Sequence, residues 1–186
     1  MAEGRRVLYI VACGARPAGE VERPVRSAQD AGFDVCVIPT PMALRFMGNV
    51  DPLEDLTGFP VRTDYKRPQD PDALPLADAF LVSPLTFNSL NKWAAGISDT
   101  LAMGLLNEAL GTDVPIVAVP WVNAQLAKHP AAGESIARLR AAGVRFTEGF
   151  GHRSSRIPGP DGRLAAPVYP WDEVEAAVAR IAEAHG

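Results

Sequence analysis

The sequence predicts an α/β fold: a doubly wound, Rossmann-like and mostly parallel sheet with helices on both faces. Two observations predict this fold. Apolar runs rich in β-branched residues recur along the chain, as in strands that are buried on both faces. Segments with helical periodicity separate these runs, so consecutive strands are expected to be joined by helices and to lie parallel. The length of 186 residues fits one domain, and we predict a single domain over residues 1–186.

The chain begins with a predicted strand–helix–strand unit. Residues 6–13 are a continuous apolar run that ends at Gly14, which predicts a buried strand. Residues 20–30 carry apolar side chains at helical spacing, and Gly32 supplies a stop after them. The next apolar run, 34–39, predicts the second strand.

A long connection separates this unit from the third strand. Its first part, residues 42–47, predicts a short helix. Residues 48–75 are rich in Pro, Asp and Gly and show little periodicity, which predicts a long loop with a functional or interface role. The apolar run 79–83 then predicts the third strand.

The second half of the chain alternates again between helices and strands. Residues 89–110 predict a long helix, in which Gly96 and Gly104 permit a break or a close contact. Residues 149–170 predict a second long loop. The same two patterns predict the remaining elements, which are strands over 115–119 and 144–147 and helices over 131–142 and 171–184.

Composition limits the classes of function. The chain has 18 basic and 22 acidic residues, a net charge of −4, and no long run of one sign, which argues against nucleic acid or an acidic membrane as a partner. The apolar run after the charged N-terminus is too short to span a bilayer, so we expect a cytoplasmic protein. Cys13 and Cys36 both lie in predicted strands, which favours buried free thiols over a disulfide or a metal site.

The carboxyl ends of the predicted strands are where a ligand is expected to bind. The start of a helix offers free backbone N–H groups and the positive end of the helix dipole, so it can hold a phosphate. Hydroxyl and amide groups at Thr40, Thr86, Asn88 and Ser89 could add donors, although each is also a common helix-capping residue. Four junctions between a strand and a helix are predicted to meet there, at residues 14–16, 40–43, 84–92 and 120–123.

The first junction does not carry a nucleotide fingerprint. Residues 14–19 read Gly-Ala-Arg-Pro-Ala-Gly, which lacks the glycine spacing of a dinucleotide-binding loop. It also lacks the Lys and Ser/Thr of a P-loop. Neither a nicotinamide nor an ATP site is therefore predicted.

Three segments resemble one known family. Residues 84–101 read Pro-Leu-Thr-Phe-Asn-Ser-Leu-Asn-Lys-Trp-Ala-Ala-Gly-Ile-Ser-Asp-Thr-Leu and resemble the signature of the homo-oligomeric flavin-containing cysteine decarboxylases. Residues 120–130 resemble that family's Pro-x-Met-Asn-x-x-Met-Trp clamp followed by His-Pro, and residues 40–46 resemble its Thr-x-x-Ala-x-x-Phe segment. The family includes phosphopantothenoylcysteine decarboxylase and enzymes that decarboxylate the C-terminal cysteine of lantibiotic-type peptides.

The resemblance implies a flavin cofactor, FMN with FAD as the alternative, and a homo-oligomer that is a trimer or a dodecamer. It implies that Asp99 fixes the helix that follows it. It also implies that Asn123 contacts the substrate carboxylate and takes part in catalysis, with Trp121 beside it. The implied cofactor-binding residues are Gly14, Ala15, Thr40, Thr86, Asn88, Ser89 and Asp99.

The sequence departs from the family in its catalytic residues. In the family, the flavin oxidises the thiol end of the substrate to a thioaldehyde, which then loses CO₂, and a His acts as general base. Alignment puts Asp70 at that position, and Asp is a weak base at neutral pH because its unperturbed pKa is about 3.9. His129 and His152 are alternative proton carriers. The late-loop cysteine of the phosphopantothenoylcysteine enzymes is absent from 149–166, which argues against a role in the coenzyme A pathway.

The leading hypothesis is therefore a flavin-dependent oxidative decarboxylase of a cysteine-containing small molecule or peptide. One alternative is another redox reaction or flavin prenylation on the same fold. Asn88 counts against prenylation, because the related prenyltransferases carry Cys-Ser-Met-Lys-Thr after the third strand. A different class of function, a non-catalytic flavin-binding subunit, also fits the missing His and Cys. The substrate itself is not predicted.

Overall fold

The computed structural model describes residues 5–67, 69–71, 74–148 and 168–183. Five strands form one sheet in the order β2-β1-β3-β4-β5, and every pairing between neighbours is parallel. This is a strand order of doubly wound sheets, so the predicted fold class is confirmed, with a fully parallel sheet. The strands are β1 (Val7–Ala12), β2 (Asp34–Pro39), β3 (Ala79–Leu85), β4 (Ile116–Pro120) and β5 (Arg145–Phe146).

Helices cover both faces of the sheet. Alternate residues of β1 point to opposite faces, so Leu8 and Ile10 pack on one side and Tyr9 and Val11 on the other. The first side also receives buried residues of α1 and α8, and the second receives those of α4, α5 and α7. The helices of the described residues are α1 (Glu22–Asp30), α2 (Pro41–Met47), α3 (Asp51–Thr57), α4 (Phe87–Ala94), α5 (Leu101–Ala109), α6 (Ala124–Ala127), α7 (Pro130–Ala141) and α8 (Trp171–Glu183).

The prediction of a loop over 48–75 is wrong for its first part, which contains α3. This helix has seven residues, too few to show a helical period in the sequence. Contacts distant in sequence support it instead. Gln29 Nε2 donates to the Leu56 carbonyl oxygen at 2.9 Å, and Glu54 Oε1 accepts a hydrogen bond from the Val61 N–H at 2.8 Å.

The single helix predicted over 89–110 is two helices, α4 and α5. Gly96 follows α4 with φ of +72°, a left-handed conformation that favours glycine, and the chain turns there. Gly104 has the other predicted role, a close contact. A Cβ at this position would lie 1.9 Å from the Tyr65 hydroxyl, which donates to the Thr100 carbonyl oxygen at 3.3 Å. Residue 65 therefore packs directly on α5.

Three further features bear on the class of protein. No helix in the described part of the chain is long and apolar enough to cross a membrane. Within the same residues, no three potential ligands among His, Cys, Asp and Glu come together as a metal site would require. Cys13 and Cys36 are both free and buried, as the sequence predicts.

Candidate functional site

A cavity of about 790 Å³ lies at the carboxyl ends of β1 to β4. Its size falls within the range of small-molecule and cofactor sites. All four predicted junctions contribute to its walls, which confirms that they meet at one edge of the sheet. Every residue that the resemblance implies for the cofactor lines this cavity, together with both residues implied for the substrate: Gly14, Ala15, Thr40, Thr86, Asn88, Ser89, Asp99, Trp121 and Asn123.

Four helices begin at the cavity, and each has a side-chain cap; Thr100, the cap of α5, is one of the lining residues. Thr40 Oγ1 accepts a hydrogen bond from the Ala43 N–H at 3.3 Å at the start of α2, and Thr86 Oγ1 accepts one from the Ser89 N–H at 3.4 Å at the start of α4. At the start of α6, Asn123 Oδ1 accepts the N–H of the third helical residue at 2.9 Å. The capping alternative is therefore correct for Thr40 and Thr86, and Asn123 is a further cap, whereas Asn88 and Ser89 are not the caps of the described helices. Since a cap satisfies only part of the first turn, further N–H groups remain for a ligand.

Gly14 brings β1 and α2 into direct contact at the cavity. A Cβ at position 14 would lie 2.4 Å from Met42 Cγ and 3.2 Å from the Met42 backbone carbonyl carbon. Any larger residue would displace Met42, which lines the cavity. The φ of Gly14 does not lie in the left-handed region, so its backbone conformation does not require glycine. Glycine is needed at this position for the close approach to Met42.

Hydrogen-bonded polar groups lie in the cavity lining and directly behind it. The Ser83 and Tyr169 hydroxyls are hydrogen bonded at 2.8 Å, and Thr86 Oγ1 donates to Ser89 Oγ at 3.2 Å. Burial raises the pKa of the Cys13 thiol, against the opposing effect of the Ser89 side chain and the Thr86 backbone. Burial also raises the pKa of the Tyr169 hydroxyl, although its bond to Ser83 lowers it. Both groups are therefore neutral at neutral pH.

Tyr169 forms an aromatic cluster that the sequence did not predict. Its ring meets Trp121 edge to face at 5.0 Å between centroids and meets Trp171 in the same manner at 4.8 Å. Trp121 lines the cavity, and its backbone N–H donates to the Leu85 carbonyl oxygen at 2.7 Å. Tyr169 thus supports a cavity wall from behind. Nothing in its local sequence indicates this, because Trp121, the partner that lines the cavity, lies 48 positions away in the chain.

An ion pair between Lys92 and Asp99 is a second feature of the cavity. The Lys92 ammonium donates to Asp99 Oδ2, and both residues line the cavity. The cap of the following helix is Thr100, which accepts a hydrogen bond from the Met103 N–H at 3.3 Å, so the role that the resemblance implies for Asp99 stays a prediction. The two charged side chains remain 31% and 45% exposed, so the pair stabilises the fold by about 1 kcal/mol or less.

Two of the predicted proton carriers, Asp70 and His129, are not among the described lining residues. Asp70 is exposed in a turn, where its Oδ2 accepts a hydrogen bond from the Arg67 N–H at 3.0 Å. His129 is the N-cap of α7 and accepts the Ala131 N–H on Nδ1 at 3.1 Å. Its ring packs edge to face, 5.5 Å away, on Phe87, which does line the cavity. His152 and the loop that should contain a late cysteine lie outside the described residues.

The sheet order and the position of the cavity define a class, that of doubly wound α/β proteins that bind a ligand at helix starts beside the carboxyl ends of their strands. Within this class the chain belongs to the Flavoprotein family, whose sequence model matches residues 1–183.

Known proteins agree with this assignment. The chain is 31% identical over 167 residues to the coenzyme A biosynthesis bifunctional protein CoaBC of Mycolicibacterium smegmatis, a match that covers 86% of this chain and 39% of that protein. The fold is similar to that of the FMN-dependent cysteine decarboxylase SpaF, with a TM-score of 0.63, 26% identity and coverage of 96% and 97% of the two chains. A mutant PPC decarboxylase complexed with pantothenoylaminoethenethiol shares the fold, with a TM-score of 0.71, 18% identity and coverage of 97% and 100%.

The residues of the cavity fit a flavin. A phosphate requires hydrogen-bond donors, which the starts of α2 and α4 supply. The ribityl chain requires polar partners such as the hydroxyls of Thr86 and Ser89. The flat ring requires apolar walls, and the apolar side chains of the lining include Met42, Phe87, Met103, Trp121 and Leu126.

Proposed function

We propose that this chain binds FMN in the cavity and oxidatively decarboxylates a cysteine-containing small molecule or peptide. One observation carries the proposal. Residues 84–101, which resemble the signature of the flavin-containing cysteine decarboxylases, run from the end of β3 through α4 to the start of α5. Seven of them line the cavity: Thr86, Phe87, Asn88, Ser89, Lys92, Asp99 and Thr100. The most specific sequence match and the ligand cavity therefore coincide.

FMN is favoured over FAD by the shape of the polar lining. Donors at adjacent helix starts suit a single phosphate, whereas a dinucleotide needs a glycine-rich loop that residues 14–19 do not provide. When bound, the flavin would accept two electrons and a proton from the substrate. The protein would hold its phosphate with N–H groups of α2 and α4 and enclose its ring between the apolar walls.

Asn123 and Trp121 are the proposed substrate-binding residues. Asn123 Oδ1 already accepts the Leu126 N–H, which orients the side-chain amide. Its Nδ2 has no hydrogen-bond partner among the described residues, so this group can donate to a substrate carboxylate. Trp121, fixed from behind by Tyr169, would form the adjacent apolar surface.

His129 and Asp70 are the proposed proton carriers. The His129 ring packs on Phe87, which lines the cavity, so the imidazole lies one side chain away from the lining. Asp70 does not line the cavity of its own chain. It would act as a proton carrier only in an oligomer, by approaching the cavity of a second copy of the chain. We propose a homo-oligomer, a trimer or a dodecamer, and its subunit count can be measured by light scattering.

The activity is tested with the flavin-loaded protein and a short peptide ending in cysteine. The proposal expects a product lighter by CO₂ plus two hydrogens, formed only when flavin is present. A peptide ending in serine is the matched control, because its hydroxyl is not oxidised by this chemistry. Asn123→Asp should abolish the mass change and retain bound flavin, since the introduced carboxylate repels that of the substrate. Full turnover in this variant would contradict the role of Asn123.

A second candidate function is flavin binding without decarboxylation. The observation that favours it is the described cavity lining, which includes no histidine. In that case the protein would bind FMN, and cysteine-terminated peptides would keep their mass under all conditions. The mass measurement therefore separates the two candidates.

A further inference from the structure

We infer that Lys92 binds an anionic group of the substrate, and that Asp99 holds the Lys92 ammonium in place until a substrate carboxylate replaces it. The inference rests on the proposed function, which provides a substrate with a carboxylate close to its cysteine thiol. It adds to that function a residue that selects substrates by their charge.

Lys92 and Asp99 are the two formally charged residues of the described cavity lining. The other lining residues are glycine, alanine, proline, hydroxyl, amide and apolar side chains. An ionised carboxylate that enters an apolar cavity without a cationic or hydrogen-bonding partner is strongly disfavoured. Lys92 is the cationic side chain that this lining offers to such a group.

The position of Lys92 differs from that of the proposed phosphate site. Lys92 follows the Thr86 cap by six residues, so its Cα lies about 9 Å further along the α4 axis. It shares a helix face with Asn88 and Ser89, four and three residues before it, and all three line the cavity. The cavity therefore offers two different anion sites, backbone N–H groups at the helix start and an ammonium group further along α4.

The contact between Lys92 and Asp99 is suited to exchange. Both side chains are partly exposed to solvent, and ion pairs of this kind are weak because water competes for each charge. Asp99 is not the cap of α5, since Thr100 has that role. A substrate carboxylate can therefore take the place of Asp99 on Lys92 without disturbing either helix, and the released Asp99 can be solvated.

Two substitutions distinguish this role from a purely structural ion pair. Lys92→Met removes the cation and keeps the length of the side chain, so the affinity for a carboxylate should fall. Asp99→Asn removes the competing carboxylate and leaves the ammonium available, so the same affinity should rise. A structural pair predicts changes of the same sign for both variants, because either one breaks the same contact.

The binding probe is N-acetyl-alanyl-serine, as the free acid and as the C-terminal amide, titrated calorimetrically into the flavin-loaded protein. Serine replaces cysteine so that no turnover occurs. We expect the wild type to prefer the free acid at least about tenfold, a difference of roughly 1.4 kcal/mol. Lys92→Met should abolish the preference. Asp99→Asn should increase it severalfold and leave the affinity for the amide unchanged.

The control pair is Arg26 and Glu22 on α1, another ion pair that does not line the cavity. Arg26→Met and Glu22→Gln should leave the preference for the acid as in the wild type. The inference would be overturned if the wild type bound the acid and the amide equally well, or if it bound neither of them. Loss of the preference in both Lys92→Met and Asp99→Asn would overturn it as well.

A second measurement excludes the flavin phosphate as the partner of Lys92. The Lys92→Met variant should prefer FMN over riboflavin by the same factor as the wild type. If this factor collapses, Lys92 binds the phosphate and the inference fails. Turnover of a cysteine-terminated peptide is measured in the same preparations. If turnover is absent while the charge preference follows the expected pattern, the proposed decarboxylation fails and the role of Lys92 stands.

Discussion

Two walls of the cavity are built in different ways. We call one the helix-start wall, made by Gly14, Thr40, Thr86 and Ser89, and the other the aromatic wall, made by Trp121 with Tyr169 behind it. In the helix-start wall each residue lies at a strand–helix junction, and Thr86 and Ser89 share one. In the aromatic wall, two side chains 48 positions apart in the chain must meet. Local chemistry therefore determines the first wall, and tertiary packing determines the second.

The largest effect is expected in the aromatic wall, from Tyr169→Ala. This change removes a buried ring that contacts both Trp121 and Trp171. We expect the free energy of unfolding to fall by about 3–5 kcal/mol, the usual cost of truncating a large buried aromatic residue. Urea denaturation measures this loss. A loss below about 1 kcal/mol would show that Tyr169 does not support this wall.

Gly14→Ala tests the helix-start wall. The added methyl group overlaps Met42, so we expect a loss of about 1–3 kcal/mol in stability and a fall in flavin affinity of at least tenfold. Gly133→Ala is the matched control, because a Cβ there has no neighbour within 4 Å. If both variants bind flavin equally well, the close approach of β1 and α2 is not needed for binding.

Tyr169→Phe separates the hydroxyl from the ring through its pH dependence. Because burial raises the pKa of Tyr169 in the folded state, this state retains the phenol proton after the unfolded chain has lost it. The shifted pKa therefore contributes its full stabilisation of the folded state below about pH 10, the pKa of tyrosine in the unfolded chain. As the pH rises above that value, the free energy of unfolding falls by about 1.4 kcal/mol per pH unit.

In the Tyr169→Phe variant this alkaline loss should be smaller by that amount. Denaturation midpoints at about pH 8 and about pH 11 measure it, on either side of the unfolded pKa. Tyr9→Phe is the control for the loss of a hydrogen bond. The residue is also buried, and its hydroxyl donates to the Pro75 carbonyl oxygen at 2.7 Å. The same pH dependence in wild type and Tyr169→Phe would contradict the shifted pKa.

The smallest effect is expected from Thr86→Val, which keeps the shape of the side chain and removes the cap of α4. We expect about 1 kcal/mol of destabilisation. If Thr86 also contacts the flavin, the affinity of the variant for flavin should fall further than this loss of stability explains. Thr112→Val is the control, since its hydroxyl bonds the Ala109 carbonyl oxygen at 2.8 Å away from the cavity. Equal flavin affinity in both variants would restrict Thr86 to capping.

The same division explains what the sequence could predict. The strands, the four junctions and the lining at Thr86 and Ser89 follow from local patterns, because apolar runs and helix starts are properties of short segments. Helix α3 was missed because seven residues carry no clear period, and it depends on Gln29 and Val61 for support.

Three parts of the site could not be predicted for a related reason. Tyr169 meets Trp121 through the packing of the last helix on the sheet, which no short segment encodes. Thr100 and not the neighbouring Asp99 caps α5, and only the structure shows which of two adjacent polar residues takes the cap. The local sequence around Lys92 is also typical of a solvated helix lysine, and only the contact with Asp99 distinguishes the two.

The central claim is that the helix-start wall and the aromatic wall together enclose FMN. The most direct test is titration of flavin-free protein with FMN, with binding monitored by the quenching of flavin fluorescence. Riboflavin is the matched ligand that lacks the phosphate. The account predicts one FMN per chain, bound at least about tenfold more tightly than riboflavin because the helix starts hold the phosphate. Protein that binds no FMN, or binds both ligands equally, would contradict it.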